Sequence, residues 1–333
     1  MSRTFIIAEA GVNHNGEIAL AKRLIDAAKE AGADAVKFQT WQTELIVTPD
    51  AAQARYQSEN TGIEESQYEM LKRLELSYEA FRDMKEYCDK RGILFLSTPD
   101  EECSADFLSD LQEIFKIGSG ELTNIPFLRH IGSMGKEIIL STGMGTLGEV
   151  ERALDTLEEA GTPRERITLL HATTMYPTPM EEVNLKAMLT LRDAFKVSVG
   201  YSDHTMGIEV PIAAAALGAK VIEKHFTLSR NLEGPDHKAS LEPHELKAMV
   251  HAIRNIESAL GDGIKKVQHS ERANRSVVRK RIIAKRNIRR HETFTPENLT
   301  TKRSDKGIDA AFWDLILQQH ANREYREGEP IEL

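Results

Sequence analysis

The sequence predicts an α/β fold, a (β/α)8 TIM barrel followed by a small β-rich domain. Eight short apolar segments rich in β-branched residues recur between residues 5 and 227, and helix-like segments separate them. Regular alternation of this kind is typical of a parallel barrel, with an open doubly wound sheet as the alternative. The predicted strands are FIIAEAG (5–11), AVKFQT (35–40), ILFLSTP (93–99), IFKIGSG (114–120), EIILSTG (137–143), ITLLHAT (167–173), VSVGYSD (197–203) and VIEKHFT (221–227).

The segments between the strands have the period of amphipathic helices. ALAKRLIDAAKEAGA (19–33) and GEVERALDTLEEAGT (148–162) repeat apolar residues on one face and carry a glycine near the C-terminal stop. The longest connection, residues 41–92, holds a polar loop and then helical segments. In a barrel it lies on the face where the strands end, so we expect a lid or a partner contact there.

A change in composition near residue 260 predicts a domain boundary. We assign residues 1–260 to the barrel, the polar stretch 261–276 to a linker, and residues 277–333 to the small β-rich domain. The last part carries 12 Lys/Arg against 9 Asp/Glu, whereas the rest of the chain carries 31 against 43. Net charges of opposite sign favour two separate domains and would allow the basic C-terminal domain to dock on the acidic barrel.

The bulk composition excludes several classes of protein. The chain of 333 residues is 41% hydrophobic and 29% charged, as in ordinary globular proteins. Two isolated cysteines, Cys88 and Cys103, are too few for a disulfide framework or a zinc cluster, which predicts a reducing, cytoplasmic compartment. We expect no signal peptide, because MSRTFIIAEAG lacks the long apolar core, and no membrane helix, because no apolar run is long enough.

Polar side chains lie at the C-terminal ends of all eight predicted strands. In a (β/α)8 barrel these ends meet on one face, where functional groups gather. Hydrogen bonds within the barrel explain a few of these residues but not all eight sets, so the sequence predicts a site on this face. The residues are Glu9, Asn13, His14, Asn15, Lys37, Gln39, Ser97, Thr98, Lys116, Ser119, Glu121, Ser141, Thr142, His171, Thr173, Thr174, Ser202, Asp203, His204, Glu223, His225 and Thr227.

Two histidines, His204 and His225, end adjacent strands. Two neutral imidazoles side by side can hold Mn²⁺ or a similar divalent ion and leave positions open for water or substrate. The alternative is that one histidine is a general base and the other a hydrogen-bonded core residue. Asp203 and Glu223 lie next to these histidines in sequence and are candidates for further ligands or for partners of the ligands.

Two lysines, Lys37 and Lys116, end the second and fourth strands. Together with Ser97, Thr98, Ser119 and Ser202 they can form a cradle for an anion, because lysine binds phosphate as a point charge and hydroxyls donate hydrogen bonds. The pattern predicts a small phosphorylated substrate. The alternative is that the lysines only neutralise an excess of acids. The sequence contains neither a Walker loop nor a dinucleotide fingerprint, so nucleotide binding is not indicated.

Eight motifs in chain order together resemble the sialic acid synthase family, and the resemblance runs from about residue 4 to the end. Enzymes of this family make nine-carbon nonulosonic acids: N-acetylneuraminate, legionaminate and, more distantly, pseudaminate. NLKAM (184–188) and GPDHKASLEP (234–243) most resemble the legionaminic branch. The eight motifs are GVNHNG (11–16), AVKFQT (35–40), KIGSGE (116–121), ILSTGM (139–144), YPTP (176–179), GYSDHT (200–205), EKHFT (223–227) and GPDH (234–237).

The resemblance implies a reaction and its residues. Phosphoenolpyruvate condenses with the open-chain aldehyde of an N-acetylated hexosamine, either ManNAc or 2,4-diacetamido-2,4,6-trideoxymannose, and phosphate leaves by C–O cleavage. The implied cofactor is Mn²⁺ or Mg²⁺ on His204 and His225, and Glu121 matches the family's acid/base. The implied phosphoenolpyruvate contacts are Lys37, Thr98, Lys116, Ser119 and Ser202. The implied sugar contacts are Gln39, Tyr176, Asp236 and Arg303.

The tail, including ENLTTKR (297–303), resembles the family's antifreeze-like domain, the SAF or β-clip domain. That resemblance implies a domain-swapped homodimer in which Arg303 enters the partner's active site and meets the N-acetyl group. Two alternatives stay open: another phosphoenolpyruvate-dependent aldose-condensing enzyme such as pseudaminic acid synthase, and a protein whose basic tail binds a glycan or nucleic acid. The run RKRIIAKRNIRR (279–290) contains no aromatic residue for base stacking, so we expect no nucleic acid partner.

Overall fold

The structure, a computed structural model, describes residues 3–53, 57–58 and 62–332. The chain divides into two compact units, Met1–Gly261 and Asp262–Leu333. Each unit has a cluster of buried apolar side chains of its own. Among the helices described, none has the length and apolar character needed to cross a membrane.

Eight parallel strands of the first unit form one sheet that closes into a barrel. They are β1 (Phe5–Gly11), β2 (Ala35–Thr40), β3 (Leu94–Pro99), β4 (Ile114–Ile117), β5 (Glu137–Ser141), β6 (Ile167–Ala172), β7 (Ser198–Asp203) and β8 (Val221–His225). Their order is β3-β2-β1-β8-β7-β6-β5-β4, so the first strand pairs with the last. This cyclic order is that of a TIM barrel and confirms the predicted architecture over the open sheet.

A glutamine side chain helps to join β3 to β4, the two strands at the ends of that order. The amide of Gln112 accepts a hydrogen bond from the backbone N–H of Ser97 and donates one to its carbonyl oxygen. A side-chain amide thereby takes the place that a neighbouring strand's backbone usually has, and β3 and β4 lie side by side. The sequence offers no pattern that identifies this residue, because its role depends on where the barrel closes.

Helices follow the strands around the barrel. They are α1 (Ile18–Ala31), α2 (Thr43–Ile46), α3 (Gln67–Leu74), α4 (Tyr78–Arg91), α5 (Glu102–Ser109), α6 (Ile125–Ser133), α7 (Leu147–Ala160), α8 (Lys186–Phe195), α9 (Glu209–Ala216) and α10 (Pro243–Leu260). The two helices predicted in detail are α1 and α7. α1 ends where Gly32 adopts a left-handed conformation with φ of 85°. α7 begins at a capping box in which Thr146 and Glu149 exchange hydrogen bonds.

Alternating side chains along the strands separate the inside of the barrel from the layer under the helices. The lower part of the inside is filled by an apolar cluster of Ile7, Ala35, Leu96, Ile139, Leu170 and Val221. Two residues further on, the same face of five of these strands carries Glu9, Lys37, Thr98, Ser141 and Glu223. The period of two therefore places an apolar floor beneath a polar upper layer, at the strand ends where barrel enzymes hold their sites.

The long connection between β2 and β3 contains α2, α3 and α4. Trp41, Met70 and Leu74 pack with Val12 in a small apolar cluster, which ties this connection to the loop after β1. Residues 54–56 and 59–61 of the predicted lid lie outside the described residues. A lid or partner contact here stays a prediction.

The second unit contains two helices, α11 (Glu271–Val278) and α12 (Trp313–Ile316), and two antiparallel strands, β9 (Lys280–Ala284) and β10 (Leu299–Arg303). α11 overlaps the stretch predicted as a linker. It buries none of its residues, and its mostly polar sequence, ERANRSVV, is why it was interpreted as a linker. The apolar cluster of this unit includes Phe294 and Tyr325. Its resemblance to an antifreeze-like domain stays a prediction.

Candidate active site

Four buried charged side chains meet inside the barrel, and we call Glu9, Lys37, Lys116 and Glu223 the lumen cluster. Lys37 Nζ lies 2.8 Å from Glu9 Oε2 and 3.7 Å from Glu223 Oε2. Lys116 Nζ lies 3.5 Å from Glu223 Oε1. None of the four is more than 4% exposed. Charges buried to this degree interact strongly, because little water screens them.

The lumen cluster does not consist of two neutralised ion pairs. Burial raises the pKa of Glu9 to about 8, despite the opposing charge of Lys37, so Glu9 keeps its proton at neutral pH. Burial acts in the same direction on Glu223, but Lys116 and Lys37 outweigh it and hold the pKa of Glu223 at about 2. Burial lowers the pKa of Lys116. Burial opposes the charge of Lys37 as well, but Glu223 and Glu9 outweigh it and raise the pKa of Lys37. One carboxylate therefore faces two lysines, and the site favours an anion.

Several buried polar atoms around the lumen cluster have no hydrogen-bond partner in the part of the chain that the structure describes. They are both carboxyl oxygens of Glu9, Glu223 Oε2, Ser141 Oγ, Asn13 Oδ1, His14 Nε2 and His225 Nδ1. Lys37 is near Glu9 but not aligned for a directed bond. Unpaired buried polar atoms are costly, and their concentration at the strand ends is typical of a site that a polar ligand completes.

Two of the hydroxyl groups predicted for the anion cradle, those of Thr98 and Ser202, bond to the lumen cluster, whereas Ser97 bonds to Thr40 instead. Lys37 Nζ donates to Thr98 Oγ1 over 2.8 Å, and Ser202 Oγ donates to Glu223 Oε1 over 2.9 Å. Ser119, in the turn after β4, accepts from the backbone N–H of Gly143 over 3.0 Å. A Cβ atom at Gly143 would lie 2.8 Å from Ser119 Oγ, so only glycine allows this approach.

The imidazoles of His204 and His225 lie side by side at the ends of β7 and β8. Their ring centroids are 5.3 Å apart. The ring of Tyr176 packs against both, with its centroid 4.1 Å from that of His204 and 5.4 Å from that of His225. Asp236 Oδ2 lies 4.0 Å from His225 Nδ1. The structure thus brings together four residues that the sequence placed far apart.

Hydrogen bonding determines which nitrogen of His204 is available. Nδ1 of His204 lies 2.6 Å from the carbonyl oxygen of Thr173. A carbonyl oxygen only accepts, so Nδ1 carries the proton and Nε2 keeps its lone pair. Burial lowers the pKa of His204 and of His225, and the neighbouring His204 lowers that of His225 further. Both rings are therefore neutral near pH 7, which is the form that binds metal ions.

Asp203 and Lys224 lie on the outer face of the same two strands, and we call them the Asp203–Lys224 pair. Lys224 Nζ lies 2.6 Å from Asp203 Oδ2 and also donates to the carbonyl oxygen of Thr205. Asp203 Oδ1 accepts from the backbone N–H and the hydroxyl of Thr205. Both side chains are fully buried. Asp203 is occupied by these bonds, so of its two predicted roles the structure leaves only support of the histidines.

Gln39 and Glu121 line a cavity of about 680 Å³ near the ends of β2, β3 and β4. Glu121 is half-buried and accepts a hydrogen bond of 2.5 Å from Asn124. Asp100 lines the same cavity, and burial followed by the charge of Glu121 raises its pKa to about 7. Sequence reasoning missed Asp100, although its position directly after the third strand was a signal.

Two other residues were incompletely interpreted from sequence. Glu9 stood among the strand-end residues without a role, and the structure places it in contact with Lys37. Arg303 lies in the second unit at the end of β10, where its side chain is exposed. Its predicted contact with a partner's site stays a prediction.

Comparison with known proteins assigns a family. The profile of the NeuB family matches residues 24–265. The chain is 52% identical to the N,N'-diacetyllegionaminic acid synthase of Campylobacter jejuni, covering 99% of each chain. It is 36% identical to the pseudaminic acid synthase of the same species, covering 99% of this chain and 95% of that protein.

A solved structure agrees with these matches. The crystal structure of the N-acetylneuraminic acid synthetase from Leptospira borgpetersenii aligns with a TM-score of 0.71 and 36% identity, covering 82% of this chain and 90% of that one. The relative with 99% coverage spans the whole barrel with the lumen cluster and the two histidines, and the family profile covers the barrel from residue 24 onward. The chain belongs to the NeuB family.

Proposed function

We propose that this protein condenses phosphoenolpyruvate with an N-acetylated mannosamine-type sugar to give a nine-carbon nonulosonic acid and phosphate. The observation that carries the proposal is the lumen cluster with its unpaired polar atoms, next to two neutral histidines. The 52% identical relative is named for N,N'-diacetyllegionaminic acid, whereas the pseudaminic acid synthase is 36% identical. These identities support 2,4-diacetamido-2,4,6-trideoxymannose as the preferred acceptor.

Phosphoenolpyruvate carries a carboxylate and a phosphate, and the lumen cluster is suited to bind them. Lys37 and Lys116 supply positive charge in a dry site. Thr98 and Ser119 accept hydrogen bonds through their oxygens and keep a hydroxyl hydrogen to donate, whereas Ser202 would contact the anion by turning its hydrogen away from Glu223. Glu9, which keeps its proton, adds a donor rather than a repelling charge. A bound anion would accept hydrogen bonds from the lysine ammonium groups, from free hydroxyl hydrogens and from the protonated Glu9 carboxyl.

His204 and His225 are the proposed holders of a divalent ion, Mn²⁺ or Mg²⁺. No group of three or more His, Cys, Asp or Glu side chains that could hold an ion is found among the described residues, so the fit is to an open site completed by water or substrate. The neutral rings, the free Nε2 of His204 and the unpartnered Nδ1 of His225 fit such an ion. When bound, the ion would polarise the aldehyde oxygen as a Lewis acid.

The reaction forms one carbon–carbon bond and breaks one carbon–oxygen bond. C3 of phosphoenolpyruvate attacks the aldehyde carbon, the aldehyde oxygen takes a proton, and water adds to C2. The bond between C2 and the bridging oxygen then breaks, and phosphate leaves with that oxygen. Glu121 is the proposed acid/base for these proton transfers, beside Asp100, whose pKa lies near neutrality.

Sugar contacts are proposed on both sides of the barrel mouth. Tyr176 and Asp236 lie beside the histidines, and Gln39 lines the cavity that also contains Glu121. We further propose that the second unit is an antifreeze-like domain, that Arg303 reaches the N-acetyl group in the partner of a domain-swapped homodimer, and that the enzyme works in the cytoplasm. These proposals rest on the family resemblance of the tail and on the cysteine content.

The direct test is phosphate release from phosphoenolpyruvate in the presence of Mn²⁺. We expect release with 2,4-diacetamido-2,4,6-trideoxymannose, slower release with ManNAc, no release without a sugar, and loss of activity with EDTA. Preference for ManNAc would move the product to the sialic branch. A folded protein that releases phosphate with neither sugar would contradict the proposed function.

A further inference from the structure

We propose that Asp203 and Lys224 are positioning residues whose buried ion pair sets the separation of the His204 and His225 imidazoles. The inference rests on the proposed function, in which these histidines hold a divalent ion. Each member of the pair directly precedes one of the histidines in sequence. Asp203 and Lys224 are also register partners between β7 and β8. The geometry of the pair is therefore passed on to the two histidines through one peptide unit on each strand.

The Asp203–Lys224 pair lies where the backbone pairing between β7 and β8 ends. The last register pair between β7 and β8 is Asp203 with Lys224, and His204 lies just beyond it. From there the link across the two strands is made by side chains. Lys224 Nζ reaches Asp203 before His204 and the carbonyl oxygen of Thr205 after it. Asp203 also binds Thr205 through its other oxygen, so the backbone on both sides of His204 is tied to β8.

A buried ion pair is unexpected on the outer face of β7 and β8, where apolar side chains are the rule. The neighbouring outer-face side chains, including Tyr201, Ile222 and Phe226, belong to the main apolar core. Apolar residues of similar volume often stabilise such a position as well as a buried ion pair does. Apolar contacts do not fix the relative orientation of the groups that make them, whereas the Asp203–Lys224 pair makes several hydrogen bonds with defined geometry. Metal sites depend on ligand positions held within about 0.5 Å, so directed bonds next to both ligands have a functional use.

The orientation of the His204 ring is fixed separately. Nδ1 of His204 donates to the carbonyl oxygen of Thr173, which orients the ring, while the Asp203–Lys224 pair places its backbone. These two kinds of support differ in what their loss would change. Loss of the pair would move His204 relative to His225 and would leave the lone pair of Nε2 intact. We therefore expect a weakened metal site rather than an abolished one.

The test measures Mn²⁺ binding to the full chain without substrates. The main variant is the double substitution Asp203→Asn with Lys224→Met, which removes both charges and avoids an unpaired buried one. We expect Mn²⁺ affinity to fall about 10- to 100-fold, as for other residues that support metal ligands. Titration calorimetry gives the affinity, and the Mn²⁺ EPR spectrum should change with the ligand geometry. Affinity for phosphoenolpyruvate, measured without metal, should stay as in the wild type.

A matched control separates positioning from stability. Arg254→Met breaks another ion pair of the barrel, in which the guanidinium of Arg254 lies 2.6 Å from Asp34 before β2. It should lower thermal stability and leave Mn²⁺ affinity unchanged. Wild-type Mn²⁺ affinity and EPR spectrum in the double variant would overturn the inference, as would an equal loss of affinity in Arg254→Met.

Failure of the proposed function would look different. Wild-type protein that binds no Mn²⁺, or that binds it equally well after His204→Ala, would contradict the metal site itself. In that case the inference about the Asp203–Lys224 pair fails with it. If the wild type binds Mn²⁺ through His204 and the double variant is unaffected, only the inference fails.

Discussion

The lumen cluster and the Asp203–Lys224 pair are two sets of buried charges that share β8. They differ in whether their hydrogen-bonding groups find partners within the fold. Glu223 and Lys224 are adjacent in β8, as are Ser202 and Asp203 in β7. Lys224 and Asp203 face the helices and make short hydrogen bonds with each other and with Thr205. Glu223, on the inner face, keeps an oxygen without a partner.

The difference separates structural from functional use of buried charge. A charge that finds all its partners within the fold contributes to one defined structure, whereas a charge left incompletely bonded is ready for a ligand. The period of two along β8 assigns neighbouring residues to these two uses. Substitutions in the Asp203–Lys224 pair should therefore act on stability and geometry, and substitutions in the lumen cluster on ligand binding.

The largest expected effect on stability comes from breaking the outer pair. Lys224→Met leaves Asp203 as a buried carboxylate without its cation, which should lower the free energy of unfolding by about 3–5 kcal/mol. Urea denaturation measures this loss. Adding Asp203→Asn should restore most of it, because no unpaired charge remains. A loss that persists in full in the double variant would contradict a purely electrostatic cause.

Removal of a lysine from the lumen cluster should affect activity more than stability. Lys116→Met should lower phosphate release roughly 10²- to 10³-fold, as when one donor to a reacting anion is removed. Its free energy of unfolding should fall less than that of Lys224→Met, because Glu223 still faces Lys37 after the substitution, whereas Asp203 loses its cation. The control is Lys90→Met, which removes an exposed ion pair on α4. It should change neither the rate of phosphate release nor the free energy of unfolding. Strong destabilisation by Lys116→Met would place the lumen cluster with the structural charges.

A smaller effect is expected in the pH dependence of stability. The pKa of Glu9 is raised from 4.5 to about 8 in the folded chain, so between these values the unfolded chain has lost a proton that the folded chain keeps. The stability that Glu9 contributes is therefore highest below pH 4.5 and is lost as the pH rises to about 8, by about 1 kcal/mol per pH unit.

Comparison with Glu9→Gln isolates this contribution. Between pH 7 and 8, His14 and His237 are neutral in the folded chain, because burial lowers their pKa to about 4, and their titration in the unfolded chain is common to the wild type and Glu9→Gln. Urea denaturation at the two pH values should show the wild type losing stability relative to Glu9→Gln. Parallel profiles would mean that Glu9 is ionised in the folded protein.

Much of the barrel could be predicted because its signals are local. The runs of β-branched residues located all eight strands, and β1 and β2 match their predicted bounds. Strands such as β4 end earlier than predicted, at Ile117, because the glycines that follow form a turn. α11 was missed because its sequence, ERANRSVV, is mostly polar and continues the polar stretch that was interpreted as a linker.

The site was predictable as a set of residues but not as a set of contacts. The position of His204 and His225 at the ends of neighbouring strands follows from barrel topology. The pairing of Lys37 with Glu9, and of Asp203 with Lys224, depends on strand register and on which face each residue occupies. Alternation alone could have placed Asp203 on the outer face, since Ser202 and His204 beside it are the residues that face inward.

The most direct test of the contrast is a titration with phosphoenolpyruvate in the absence of metal and sugar. Calorimetry would compare the wild type, Lys116→Met and the double variant Asp203→Asn with Lys224→Met. Loss of one hydrogen bond between charged groups should weaken binding by about 1.5–3 kcal/mol in Lys116→Met, and the double variant should bind as the wild type does. Wild-type affinity in Lys116→Met, or an equal loss in the double variant, would contradict the assignment of the lumen cluster as the anion site.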